Sequence, residues 1–267
     1  MTKKARIEVP IKQRWGVIFK ATLLLAWVAA VVIVSQLVIG YIMLWMLGRE
    51  TLLQPVPTAI YSAFSYTIAL LVILFATPVF SIKKRGKGKK VINIKPSTID
   101  REDMGLRGWP TWTDIGLAPV GFVVSLLIAA GLVGLFSLFP WFDAEQTQNV
   151  GFIPYVLGFD RIVAFVVLVV VAPVIEELIF RGWLYGKLRS MLSAKMSDMA
   201  SMLISIFLVS LLFGIVHLQW NVGVNVFAMS ILLCGLREIT GTIYSGILMH
   251  MIKNGLAFYL LYVIGLG

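Results

Sequence analysis

Charged positions along this chain fall in short clusters, and between them the sequence runs apolar for lengths that match a membrane. Residues 21–48, 58–82 and 115–142 carry no charged side chain. A spanning helix needs about 20 consecutive apolar residues, so each of these runs predicts a transmembrane helix. The second half is patterned differently. Residues 162–175 are apolar and lead straight into Glu176 and Glu177, and residues 199–216 are uncharged and end at His217. Residues 218–236 are uncharged and end at Arg237 and Glu238, while residues 239–267 carry only His250 and Lys253. The expected fold is all-α, a polytopic membrane helix bundle of about seven (seven to eight) transmembrane helices. Two regions are expected: 1–145, apolar helices with a basic loop, and 157–264, which holds the polar membrane residues. The boundary falls at about 143–157.

Composition agrees with the pattern. Of 267 residues, 59% are hydrophobic and 13% charged, and the mean hydropathy is +0.92. A soluble domain carries about 25% charged residues, so a soluble enzyme, a disordered chain and a disulfide scaffold are excluded. The lone Cys234 lies in an apolar run, so no intramolecular disulfide forms. The first apolar run is too long for a signal-peptide core, and it reads as a retained signal anchor.

The net charge of +10 would suggest nucleic acid on a soluble protein. Here the positions of the basic residues decide otherwise. They cluster before the first run, between the second and third at 83–107, after the fourth at Arg181, Lys187, Arg189 and Lys195, and at Arg237. The alternate loops hold only Arg49 and Arg161. All clusters fall on one side if the N-terminus is cytoplasmic. The 83–95 run is therefore a topology signal in contact with anionic lipid, and no nucleic-acid partner is expected. Residues 96–114, with Trp109 and Trp112, read as an interfacial segment.

Ionisable groups inside a membrane segment cost about 2.5–3.5 kcal/mol each on insertion scales, and the second half holds several. Glu177 and Arg181 are four residues apart and share a helix face, whereas Glu176 is turned about 100° away from that face. Both histidines lie in apolar helices. Phe213 and His217 form one i,i+4 pair, and His250 and Asn254 another. If the chain reverses near Lys195, Glu176 and His217 reach similar depth, within about 5 Å at 1.5 Å per residue. His250 stands about 14 Å along its helix from the turn at Gly241. Three helices thus bring Glu176, His217, His250 and Asn254 to one polar pocket. A carboxylate beside an imidazole can take a proton from water and pass it to a leaving amine. A second imidazole and a carboxamide can donate to an oxyanion. Alternatively Glu176, His217 and His250 form a three-ligand set for a divalent metal such as zinc. Both readings give amide hydrolysis, and whether a cofactor is present stays open. Lys253, next to Asn254, would snorkel or pair with a carboxylate such as Glu238. Asn221 and Asn225 would line the cavity mouth.

Three motifs in order carry a family resemblance: Glu176-Glu177-Arg181 as EExxxR, Phe213-His217 as FxxxH, and His250-Asn254 as HxxxN. With the Thr240-Gly241-Thr242 lead-in, residues 157–260 resemble the CPBP (Abi) family, which includes the type II CAAX prenyl endopeptidases and bacterial relatives. The resemblance implies an intramembrane endopeptidase with a cavity open to the cytoplasm. In it Glu176 and His217 would activate water, and His250 with Asn254 would bind the oxyanion. Glu177, Arg181 and Phe213 would support them. The implied partners are membrane lipids and a peptide or protein substrate, lipidated or membrane-tethered. The short loops suit a multi-pass protein of a bacterial cytoplasmic membrane. The alternative is a non-catalytic peptide-binding or bacteriocin-immunity protein. A proton-coupled transporter is a third option, against which the lack of an inverted repeat counts.

Overall fold

The structure, a computed structural model, describes residues 11–85, 89–96, 100–143, 158–217 and 220–265. Most of the expected 143–157 boundary and the basic residues at 1–10 lie outside the described residues. Ten α-helices follow in chain order: α1 (Ile11–Leu47), α2 (Arg49–Leu52), α3 (Pro55–Ala76), α4 (Trp112–Phe136), α5 (Gly158–Phe165), α6 (Ala172–Glu177), α7 (Gly186–Ser193), α8 (Asp198–Ile215), α9 (Trp220–Thr240) and α10 (Tyr244–Phe258). Among the described residues seven helical stretches are long and apolar enough to cross a membrane. The protein is a multi-pass membrane helix bundle.

One expectation about boundaries changes. The fourth span does not stop at the glutamates but continues from Gly158 to Ser193, because the charges inside it find partners inside the protein. Two stretches of this span, Val166–Val171 and Leu178–Tyr185, are π-helical and flank α6. The connection between α3 and α4 also departs from a plain loop. It forms an antiparallel hairpin of β1 (Pro78–Arg85) and β2 (Lys89–Pro96). Its register pairs Phe80 with Ile94 and Ile82 with Ile92, then Lys84 with Lys90.

Apolar side chains such as Leu37, Trp45, Phe64, Phe75, Leu127, Ile162 and Phe207 are exposed on the outer surface. In water so large an apolar patch would be a liability, but lipid solvates it. Inside, Val28, Ile73, Ile179, Leu184, Leu188, Val209, Phe213, Leu233 and Met249 are buried together. Small residues set the closest approach of α8 and α9. A methyl group on Gly214 would stand 2.8 Å from the Gly223 carbonyl oxygen, the packing by which membrane helices gain van der Waals contact. That contact lies three residues before His217.

A second constraint sets the start of α10. Asp114 opens α4 in a capping box with Thr111, whose backbone N–H and hydroxyl donate to Asp114 Oδ2 at 2.8 and 2.7 Å. The other carboxylate oxygen accepts from Thr242 Oγ1 at 2.8 Å and Ser245 Oγ at 2.7 Å. Between α9 and α10, Gly241 adopts φ 71°, a left-handed turn open to glycine at no steric cost. Beneath it the Gly105 carbonyl accepts from the Ile243 N–H at 3.1 Å, and Gly105 too has φ 71°. Residues 100–108 thus lie under the α9–α10 turn. Trp109 and Trp112 are 88% and 87% exposed, as expected for an interfacial belt.

Replacing Asp114 by Ala removes a cap and leaves two buried hydroxyls short of an acceptor. We expect a loss of about 1–3 kcal/mol, read as a lower thermal unfolding midpoint of the purified protein in detergent. Thr242→Val, which removes one of the four bonds, is expected to lower it less.

Candidate active site

The site begins with a local irregularity in the fourth span. Pro173 carries no N–H and cannot close the helical ladder behind it, and the π stretches on either side shift carbonyls out of the i→i−4 pattern. The Leu168 carbonyl, in the first π stretch, accepts a hydrogen bond from Asn254 Nδ2 of α10 at 2.9 Å. This bond ties α10 to the fourth span one helical turn beyond His250. At the other end Gly246 of α10 lies against Glu177, and a methyl group there would stand 3.1 Å from Glu177 Oε2.

Five residues lock the centre of the bundle. Arg181 Nη1 donates to Glu177 Oε1 at 2.8 Å, with both side chains essentially fully buried. Arg181 Nη2 donates to Ser230 Oγ of α9 at 2.6 Å, and its guanidinium carbon lies 4.2 Å from the centre of the Phe213 ring. His250 Nδ1 lies 3.1 Å from Glu177 Oε1. A carboxylate oxygen is an acceptor, so Nδ1 carries the proton and donates. The pairing of Glu177 with Arg181 is the one expected from their spacing. Its continuation to His250, which orients the imidazole, is an additional feature of the fold.

With Nδ1 engaged, His250 presents Nε2 to Glu176, whose Oε2 lies 3.7 Å away. The two adjacent glutamates therefore flank one imidazole, one at each nitrogen. Phe213 stands between the histidines, with ring centres 5.0 Å from His217 and 6.0 Å from His250. His217 Nδ1 lies 2.7 Å from the Phe213 carbonyl oxygen. That oxygen only accepts, so Nδ1 holds the proton, and Nε2 of the neutral ring keeps a lone pair. Glu176, His217, His250 and Asn254 all line one cavity of about 330 Å³. Glu177 and Arg181 lie behind its wall.

Among the described residues no three His, Cys, Asp or Glu side chains gather as a coordination group, so Glu176, His217 and His250 are not assembled as a three-ligand set. The Nδ1 contacts of His250 and His217 leave the Nε2 atom of each ring outside those bonds.

Several polar residues are placed differently from expectation. Lys253 does not pair with Glu238, which instead accepts from Tyr185 Oη at 2.6 Å and Arg189 Nε at 3.0 Å near the other end of the helices. Lys253 lines the cavity with Glu176, three residues past His250 and on the same helix face. Asn221 and Asn225 do not line it. The Asn221 side chain accepts from the Val222 N–H at 2.6 Å, and Asn225 Nδ2 donates to the Asn221 carbonyl at 3.0 Å, satisfying the first turn of α9. Sequence reasoning missed three cavity residues, Gln36 of α1 and Ser62 and Tyr66 of α3. Their only sequence signal is polarity within otherwise apolar runs, which many lipid-facing and helix-packing residues share.

Residues 158–256 match the family described as type II CAAX prenyl endopeptidase Rce1-like. The matched segment contains Glu176, His217, His250 and Asn254 and excludes α1, α3 and α4. Comparisons with curated proteins and with solved structures return no match. A polar cavity inside a seven-span bundle, lined by these motif residues, agrees with the match of this segment to the Rce1-like type II CAAX prenyl endopeptidases.

Proposed function

We propose that the protein is an intramembrane endopeptidase that hydrolyses a peptide bond in this cavity with water activated by Glu176 and His217. The observation that carries the reading is the 3.7 Å approach of Glu176 Oε2 to His250 Nε2 while Glu177 holds the far side of the same ring. A base, an imidazole aimed by a buried carboxylate and the imidazole of His217 then line one cavity.

In the proposed reaction Glu176 takes a proton from water, with the lone pair of His217 Nε2 receiving the water's second hydrogen bond. The hydroxide adds to the scissile carbonyl carbon. The resulting oxyanion is met by an Nε2–H of His250, which requires the ring to carry a proton on both nitrogens between the two glutamates, and by the second N–H of the Asn254 amide, whose first is given to Leu168. The proton held by Glu176 passes to the amide nitrogen, the C–N bond breaks, and acid and amine leave. Glu177 and Arg181 position His250, and Phe213 spaces the two imidazoles. The cavity lies at membrane depth, which favours a lipidated or membrane-tethered peptide as substrate. The short loops suggest a bacterial cytoplasmic membrane.

Glu176→Gln removes the base while keeping the shape. Cleavage of a membrane-tethered peptide library by the purified protein, followed by mass spectrometry, is expected to fall by about 10²–10⁴-fold. Undiminished cleavage by this variant would refute the reading. Wild-type biological function surviving in a variant that cleaves nothing would favour a peptide-binding or immunity role. Asn254→Ala is expected to lower the rate by about 10²–10³-fold.

Since the candidate ligands do not converge, treatment with a chelator is expected to leave the rate unchanged. Arg181→Met alone strands a buried carboxylate at a cost of about 3–5 kcal/mol, seen as poor accumulation and a lowered unfolding midpoint. Combining it with Glu177→Gln is expected to restore accumulation but not the rate, because His250 then loses its ionised anchor.

A further inference from the structure

The basic loop residues Arg189 and Arg237 lie toward one end of the helices and the cavity toward the other. Arg189 bonds Asp198 and Glu238, Arg237 donates to the Asp103 carbonyl, and the β1–β2 hairpin joins α3 to α4 at the same end. Gly186 packs on the Asp103 carbonyl, which puts residue 186 of the fourth span at that level too. The cavity sits elsewhere. α8 leaves the basic end at Asp198 and supplies only Phe213 and, past its last turn, Val216 and His217. α10 leaves it at Tyr244 and lines the cavity as far as Tyr262 in the π stretch that continues it, about 27 Å further on at 1.5 Å per residue. Leu168 precedes Gly186 by a similar span, again about 27 Å. Gln36 and Ser62 belong to the halves of α1 and α3 away from the hairpin. The hydrocarbon layer is about 30 Å thick. The cavity therefore extends from mid-membrane, at Glu176, toward the face opposite the basic loops.

We propose that this cavity receives its peptide from that opposite face, which the positive-inside rule makes the extracytoplasmic one. The substrate class is then an exported or outer-leaflet peptide segment, the reverse of the cytoplasmic entry that the family resemblance implied. Glu176 forms the inner end of the passage. Gln36, Ser62 and Lys253 line it with polar groups, which gives water and a peptide backbone partners at a depth where lipid offers none. What happens to the peptide once bound rests on the proposed protease chemistry, whereas the direction of entry rests on the helix directions and the charge partition alone.

Thiol labelling tests the direction. The lone cysteine, Cys234, is buried, so the wild type serves as the blank. Ser62→Cys places a thiol in the cavity wall outside the catalytic group. Thr51→Cys and Ser193→Cys mark the two faces at exposed positions. A membrane-impermeant sulfonated maleimide is added to intact spheroplasts and to inside-out vesicles. We expect Ser62→Cys to label with Thr51→Cys in spheroplasts and to be protected in vesicles, where Ser193→Cys labels. Labelling of Ser62→Cys from the cytoplasmic side only, equally from both sides, or from neither overturns the proposal. Labelling needs no turnover, so a failed cleavage assay leaves this result standing, and a failed labelling pattern leaves cleavage untouched.

Discussion

The arrangement depends on one carboxylate that lipid would never tolerate alone. Glu177 lies at the centre of the bundle and accepts from Arg181 Nη1 and His250 Nδ1 on a single oxygen. Arg181, the largest fully buried side chain among the described residues, passes the connection to Ser230 and rests on Phe213. Three spanning segments and α8 are held by this group, because a charge left unpaired at this depth costs several kcal/mol. The bundle therefore closes around Glu177, and the same closure aims His250 at Glu176. Stability and site geometry share one cause.

Irregular helix geometry does comparable work at a smaller scale. A straight fourth span would keep every carbonyl in its own ladder and present none to a neighbour. The π stretches around Pro173 leave the Leu168 carbonyl facing Asn254, so the carboxamide is anchored by one N–H. At the basic end Asp114 fixes where α10 begins. His250 and Asn254 are thereby set between two tethers, one at the start of their helix and one beside the cavity.

The family match ends at residue 158 on its N-terminal side, but the cavity does not. Gln36, Ser62 and Tyr66 complete the wall from helices outside the matched segment. The two regions expected from the sequence thus meet at the site. The matched segment carries Glu176, His217, His250 and Asn254, and helices outside it complete the wall around them.

Spans, their number and the one-sided placement of basic residues were legible in the sequence, because apolar length and loop charge are local properties that lipid reads directly. So was the Glu177–Arg181 pair, since a spacing of four residues on a helix puts two side chains on one face whatever surrounds them. The partner of a long-range polar group has no such local mark. Lys253 with Glu238 was as plausible by composition as Lys253 in the cavity, and only the packing of α10 separates them. The bridge from His250 to both glutamates, the Leu168 carbonyl, the hairpin between α3 and α4 and the end of the bundle on which the cavity lies are set by how helices rotate and tilt against each other. Those rotations follow from glycine contacts and buried hydrogen bonds between residues far apart in the chain, which no single stretch of sequence contains.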